Sequence, residues 1–199
     1  VLGLNHAKTA ILVVLVNPRA GGLLISGPRG IGKSTLMRST QELIERPWRD
    51  IPVSITEDRL FGTIDTEKAI YSGQKKLYPG IINEADQGVL YLDDVNLLRE
   101  DLLDSILDIA EVGMYQLERD GLSLRCDTSF TVIAAINPES GMLSGACLDQ
   151  FGLFVNVDNI HDENTRVEIL KRTISFEKDC ASFCNLWKLE NEKIKKAIH

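Results

Sequence analysis

Short apolar runs alternate along this chain with stretches in which apolar residues recur every three or four positions. That alternation is the signature of an α/β fold, a parallel sheet built from crossover units. Asn5–Val16 reads as a first helix, and Gly21-Gly22 opens a buried strand over Leu23–Ser26. After a glycine-rich turn, the spacing of Leu36, Thr40, Leu43 and Ile44 predicts a helix from Lys33 that Pro47 stops. Ile51–Ile55 reads as a second short strand. Thr56 to Tyr78 is polar and holds Gly62 and Gly73, so it reads as an inserted excursion rather than core. Pro79 suits the first turn of a short helix through Asp86. Val89–Leu92 is a fully apolar strand ending in two aspartates, and Leu98, Leu102, Leu103, Ile106 and Leu107 mark the next helix. Met114–Arg119 and Leu122–Cys126 flank Asp120-Gly121, a two-residue hairpin signal. Phe130–Ile136 and Leu153–Val157 complete the strands, and Asp162 is placed to cap a helix carrying Val167 and Leu170. From Phe176 the chain turns amphipathic and charged through Trp187, Ile194 and Ile198. The division expected is a core over 1–176 and, over 177–199, the first helix of a second, helical domain.

Composition narrows the classes without choosing among them. A chain of 199 residues, 44% hydrophobic and 26% charged, has the profile of a globular protein with one well-buried domain. The formal net charge of −7 argues against nucleic acid as the main partner. Ala10–Val16 is too short to span a bilayer and lacks the flank and cleavage site of a signal peptide. The expectation is a cytoplasmic protein with no membrane partner. Cys126, Cys147, Cys180 and Cys184 form no C-x-x-C pair. Cys180 and Cys184 stand one helical turn apart and could share a metal, but with His6, His161 and His199 scattered they read as reduced structural thiols.

The chemistry is concentrated in Gly27-Pro28-Arg29-Gly30-Ile31-Gly32-Lys33-Ser34, which matches G-x-x-x-x-G-K-[ST] between a strand and a helix. Glycines let successive backbone N–H groups turn inward around an anion, and the helix N-terminus adds its positive dipole end. Lys33 supplies a mobile cation for the β- and γ-phosphates of ATP, and the Ser34 hydroxyl is a ligand for Mg²⁺; Thr35 extends the nucleotide-binding set. Asp93, delivered by the apolar strand, can hold the Mg²⁺ through water, and Asp94 would orient the attacking water. Paired aspartates after a strand are also commonplace helix caps; their position downstream of this loop favours the catalytic reading. Asn137, at the end of Thr131–Ile136, could orient the water beside the γ-phosphate, or could simply form an Asn-Pro turn.

These residues sit in longer stretches that resemble the ATPase (I-type) subunit of magnesium chelatase, in the AAA+ branch that also holds cobaltochelatase and MoxR-type ATPases. The stretches are Asn17–Gly22, Thr56–Asp65, Pro79–Asp86, Gly88–Leu98, Glu118–Ser123, Asn137–Glu139 and Leu148–Leu153. The resemblance implies an AAA+ P-loop core with the start of a helical lid, and a hexameric ring with ATP at subunit interfaces. It assigns Asn137 to the sensor-1 position, Thr56–Leu77 to the helix-2 insert and Met114–Cys126 to the pre-sensor-1 hairpin. It further implies two partners beyond the ring, a D-type AAA+ subunit and a large porphyrin-binding subunit. ATP hydrolysis would then drive insertion of a metal ion into a tetrapyrrole.

Two positions depart from the family pattern. Asp93-Asp94 stands where the family has Asp-Glu, and Gln150 stands where it has the arginine finger that reaches the neighbour's ATP. An arginine finger is worth ~10³–10⁵ in rate, and an amide lacks its charge. Three readings follow: a motor subunit for metal insertion, a hydrolysis-poor ring member that binds ATP and scaffolds active neighbours, and a MoxR-like chaperone.

Overall fold

The computed structural model describes residues 1–64, 77–119 and 122–198. The first half contains α1 (Asn5–Val16), β1 (Leu23–Ser26), α2 (Lys33–Gln41), β2 (Trp48–Ile51), α3 (Glu57–Phe61), β3 (Gly62–Ile64), β4 (Leu77–Pro79), α4 (Ile81–Glu84) and β5 (Gly88–Leu92). The second contains α5 (Glu100–Val112), β6 (Met114–Arg119), β7 (Leu122–Asp127), β8 (Phe130–Ile136), α6 (Gly145–Asp149), β9 (Leu153–Asn156), α7 (Glu163–Lys178), α8 (Cys180–Leu186) and α9 (Lys188–Ile198).

Side chains alternate across a strand, so a sheet covered on both faces needs apolar residues at every position. β1, β5 and β8 meet that demand with wholly buried runs. Leu23, Ile25, Val89, Tyr91, Ile133 and Ala135 pack with α1 and α2 on one face. Leu24, Leu90, Leu92, Val132, Ala134 and Ile136 pack with α4 and α5 on the other. The result is a five-stranded parallel sheet in the order β2-β5-β8-β1-β9. β8 lies between β5 and β1, with Leu92 opposite Ala134 and Ser26 opposite Ile136. The loops that follow these three strands therefore emerge side by side on one rim, where ligands collect in open α/β sheets.

Several elements differ from the sequence expectation. β2 covers Trp48–Ile51 rather than Ile51–Ile55. The Pro47 carbonyl accepts the Val89 N–H at 2.8 Å, and the Trp48 ring sits 5.9 Å from that of Tyr91, so pairing starts early. Pro52 has no N–H to continue the ladder. α2 ends at Gln41, before Leu43 and Ile44. Pro79 closes β4 instead of opening a helix, and α4 begins at Ile81. The polar excursion is anchored in the core: Leu60 of α3 is fully buried and β3 pairs antiparallel with β4. Gly73 and the Asp120-Gly121 turn lie outside the described residues, although β6 and β7 pair antiparallel as a hairpin requires. Beyond α7 the expected single helix is two, with Asp179 accepting the Ser182 N–H at 3.0 Å to start α8. α9 returns to the core, where Ile198 is buried and its carbonyl accepts from Arg46. Cys126 and Cys147 are buried thiols, whereas Cys180 and Cys184 are exposed with their sulfurs 4.0 Å apart. Among the described residues no helix is long and apolar enough to cross a membrane.

Candidate functional site

The turn between β1 and α2 is held open by backbone conformation. Gly30 and Gly32 adopt φ of 80° and 95°, a region that side chains disfavour, and a Cβ on Gly27 would meet the Val157 carbonyl oxygen at 2.6 Å. Gly32 is the N-cap of α2 and no side chain caps that end. The helical ladder starts with Leu36 N–H to Gly32 C=O at 2.9 Å, so the N–H groups of Lys33, Ser34 and Thr35 have no acceptor within the helix. An uncapped helix start behind a glycine turn fits an anion, because N–H dipoles and the helix macrodipole point at one place.

Lys33 is only 7% exposed, and its ammonium group donates to the carbonyls of Gly27 at 2.5 Å and Pro28 at 2.9 Å. Burial pushes its pKa down, and the nearby charges of Asp94 and Asp93 push it back up. The cation is thus folded into the loop, within reach of whatever the loop holds. Arg29 and Ile31 line the outer part of the turn, and Arg29 is largely exposed.

The Ser34 hydroxyl donates to Asp93 at 2.9 Å, bringing together two residues 59 apart in sequence. The other carboxylate oxygen of Asp93 accepts the Asp94 N–H at 3.2 Å. A hydroxyl and a carboxylate are hard oxygen donors, the set that Mg²⁺ takes alongside retained waters. Asp94 has a left-handed backbone, φ 46° and ψ 48°, and lies 3.7 Å from the Arg29 guanidinium in a mostly exposed ion pair. Pairs of that kind contribute little to stability and separate easily.

Asn137 arrives on the same rim, since the Gly27 N–H donates to the Ile136 carbonyl at 3.2 Å. Its side chain is buried and occupied locally: the amide nitrogen donates to Ser140 at 3.0 Å and the oxygen accepts the Glu139 N–H at 3.2 Å. The Asn-Pro turn is therefore formed, and a sensing role would draw on the second amide N–H. Gln150 is the C-cap of α6, and its side-chain oxygen is buried with no hydrogen-bond partner among the described residues. Of the arginines on the β6–β7 hairpin, Arg125 pairs with Asp127 at 3.0 Å, and the side chain of Arg119 lies outside the described residues.

One residue beside the site escaped the sequence reading. Tyr91, on β5 two residues before Asp93, is 6% exposed and its hydroxyl makes no well-formed hydrogen bond among the described residues. Burial, and then the Asp93 charge, push its pKa up. The signal was present as a polar-tipped residue in an otherwise aliphatic strand with period-2 spacing to the aspartate.

The comparisons bear on this geometry. The AAA domain family, dynein-related subfamily, matches residues 22–150. The magnesium-chelatase 38 kDa subunit of Cereibacter sphaeroides is 34% identical, matching all of this chain and 69% of its own length. The chain belongs to the AAA family, in its magnesium-chelatase I-subunit branch. A magnesium-chelatase subunit ChlI homolog of Methanocaldococcus jannaschii is 33% identical, again over the whole chain and 64% of its own length. The chain thus spans about two thirds of the length of these relatives. A solved cryo-EM complex of the BchI and BchD subunits of magnesium chelatase contains a chain that superposes with a TM-score of 0.72 at 34% identity, covering 96% of this chain and 70% of that one. The family's AAA fold, with its parallel sheet between helices, is the one described above, and its members support ATPase activity in general terms.

Proposed function

We propose that this chain binds ATP·Mg²⁺ at the β1–α2 loop and serves as the ATPase subunit of a magnesium-chelatase-like complex. In that complex ATP hydrolysis drives insertion of a metal ion into a tetrapyrrole. The observation that carries the nucleotide reading is the 2.9 Å Ser34–Asp93 hydrogen bond at the uncapped start of α2. It supports the reading by bringing two hard oxygen donors beside an uncapped helix end. The residues proposed to hold nucleotide are Gly27, Pro28, Arg29, Gly30, Ile31, Gly32, Lys33, Ser34 and Thr35. Backbone N–H groups take the phosphate oxygens, and Lys33 leaves its two carbonyls for the β- and γ-phosphates. Mg²⁺ held by Ser34 and, through water, Asp93 would neutralise charge developing on the γ-phosphoryl group. Asp94 would accept a hydrogen bond from the attacking water once Arg29 releases it, and Asn137 would help orient that water beside the γ-phosphate. The partners proposed are further AAA+ subunits in a ring, a D-type subunit and a porphyrin-binding subunit.

A second reading is favoured by two specific observations, the inward-turned Gln150 and the Arg29-bound Asp94. In it the chain binds nucleotide, hydrolyses it slowly and scaffolds active neighbours. Steady-state phosphate release, measured with and without the D-type and porphyrin-binding subunits, separates the two. Turnover that rises on addition of partners supports the motor; a rate that stays at background with every partner present supports the scaffold.

A further inference from the structure

The Tyr91 hydroxyl is buried and makes no well-formed hydrogen bond among the described residues. A buried hydroxyl without a hydrogen bond is costly, and native proteins retain few of them without a reason. Asp93 and Ser34 stand within hydrogen-bonding approach of it, and the Asp50 charge also acts on it. Asp50 is already engaged, accepting from the Trp48 indole N–H at 2.8 Å. Asp93 is not saturated: it accepts from Ser34 and from the Asp94 N–H, and a carboxylate offers about four lone-pair sites.

Beside these residues lies a cleft of about 200 Å³ lined by Ser34, Arg38, Trp48, Asp50, Tyr91 and Asp93. It is roomy and polar enough to admit waters, as the partial hydration shell that Mg²⁺ keeps in such sites requires. A carboxylate that carries a metal through water must hold one orientation, and groups behind the ligand commonly fix it.

We infer that Tyr91 is a positioning residue for the metal, donating its hydroxyl hydrogen to Asp93 when that carboxylate turns to bear the waters of a bound Mg²⁺. Tyr91 touches neither nucleotide nor metal; it acts through Asp93. The placement follows from the cleft itself, since Tyr91 at the end of β5 and Asp93 just beyond it line one wall together with Ser34 of α2. The inference rests on the ATP·Mg²⁺ reading above.

The test is Tyr91→Phe, which removes the hydroxyl and keeps the ring packed on Trp48. Three readouts are compared with wild type: thermal melting without ligand, fluorescent ATP-analogue binding in EDTA, and the Mg²⁺ concentration giving half-maximal Mg²⁺-dependent binding. Melting is expected to change little, because the hydroxyl makes no well-formed bond among the described residues, and binding in EDTA is expected to be unchanged. The Mg²⁺ requirement is expected to rise about tenfold, the size of one hydrogen bond to a charged group. In an Asp93→Asn background the same change is expected to add nothing, as coupled residues require. A lowered melting temperature with an unaltered Mg²⁺ requirement would make Tyr91 merely structural and overturn the inference. So would a variant that matches wild type in every readout. If wild type itself showed no Mg²⁺-dependent binding, the nucleotide reading would fall first. Mg²⁺-dependent binding that is indifferent to Tyr91→Phe removes only this inference.

Discussion

Asp94 and Gln150 are single-residue departures with different physical consequences. Asp94 is one methylene shorter than the glutamate that the resemblance implies, and its left-handed backbone limits where the shorter arm can reach. Positioning losses near 1 Å cost of the order of 10²-fold in rate. Gln150 withholds a charge, and its buried oxygen has no partner among the described residues. The two changes act on one transition state, so their effects need not add. In an assembled ring, Asp94→Glu with Gln150→Arg is expected to raise the hydrolysis rate by at least about tenfold, with little change in ATP affinity. Single-turnover kinetics beside equilibrium binding reads both quantities. Brisk turnover by the wild type, unaffected by Gln150→Arg, would mean that another arginine such as Arg125 supplies the cation. At this scale the loop was legible because the motif fixes residue types at fixed spacing. Tyr91 was not, because a tyrosine in an apolar strand reads as packing until its hydroxyl is seen to make no well-formed hydrogen bond.

Elements were legible where burial alone decides them. β8 and α1 run over Phe130–Ile136 and Asn5–Val16, the spans their apolar patterns mark. β2 was misplaced because its middle residues, Arg49 and Asp50, are exposed at the sheet edge and only Trp48 and Ile51 face inward. The insert was read as wholly peripheral because one buried leucine per short helix leaves no periodic signal. Leu60→Ala is nonetheless expected to destabilise the protein by about 2–5 kcal/mol, as a fully buried leucine in a close-packed core should. Chemical denaturation checks this; a loss under about 0.5 kcal/mol, the surface range, would return α3 to the periphery. The caps give a pH-dependent expectation. Hydrogen bonds from Thr165 and Ser182 hold the Asp162 and Asp179 carboxyls below the usual aspartate range. A depressed folded pKa gives stability that is complete above the unfolded value of about 3.9 and lost as pH falls through the folded one. Helical ellipticity is therefore expected to fall in acid below about pH 4, and Asp162→Asn with Asp179→Asn, which keep the acceptors but cannot titrate, should flatten that part of the curve. An unaltered acid transition in the double variant would place the sensitive carboxylates elsewhere.

For the whole molecule, the sheet order brings the ends of β1, β5 and β8 to one rim, and the candidate site follows from that order more than from any single residue. The parallel sheet was legible from its alternating elements; the course after α7 was not, because charged helices with few buried positions carry little pattern. Since the chain spans about two thirds of its relatives' length, and ring contacts are expected to draw on the lid, light scattering of this chain with an ATP analogue should show a monomer or weak association. A tight hexamer would show that the described core suffices for assembly. The central claim is that the β1–α2 loop binds ATP·Mg²⁺ through Lys33, and calorimetric titration of wild type against Lys33→Ala tests it most directly. Lys33→Ala removes the mobile cation and leaves the backbone cradle, so the account expects a loss of about 1.5–3 kcal/mol, roughly ten- to hundredfold in Kd, with an unchanged melting temperature. ATP affinity equal in the two proteins, or absent from both, would contradict it.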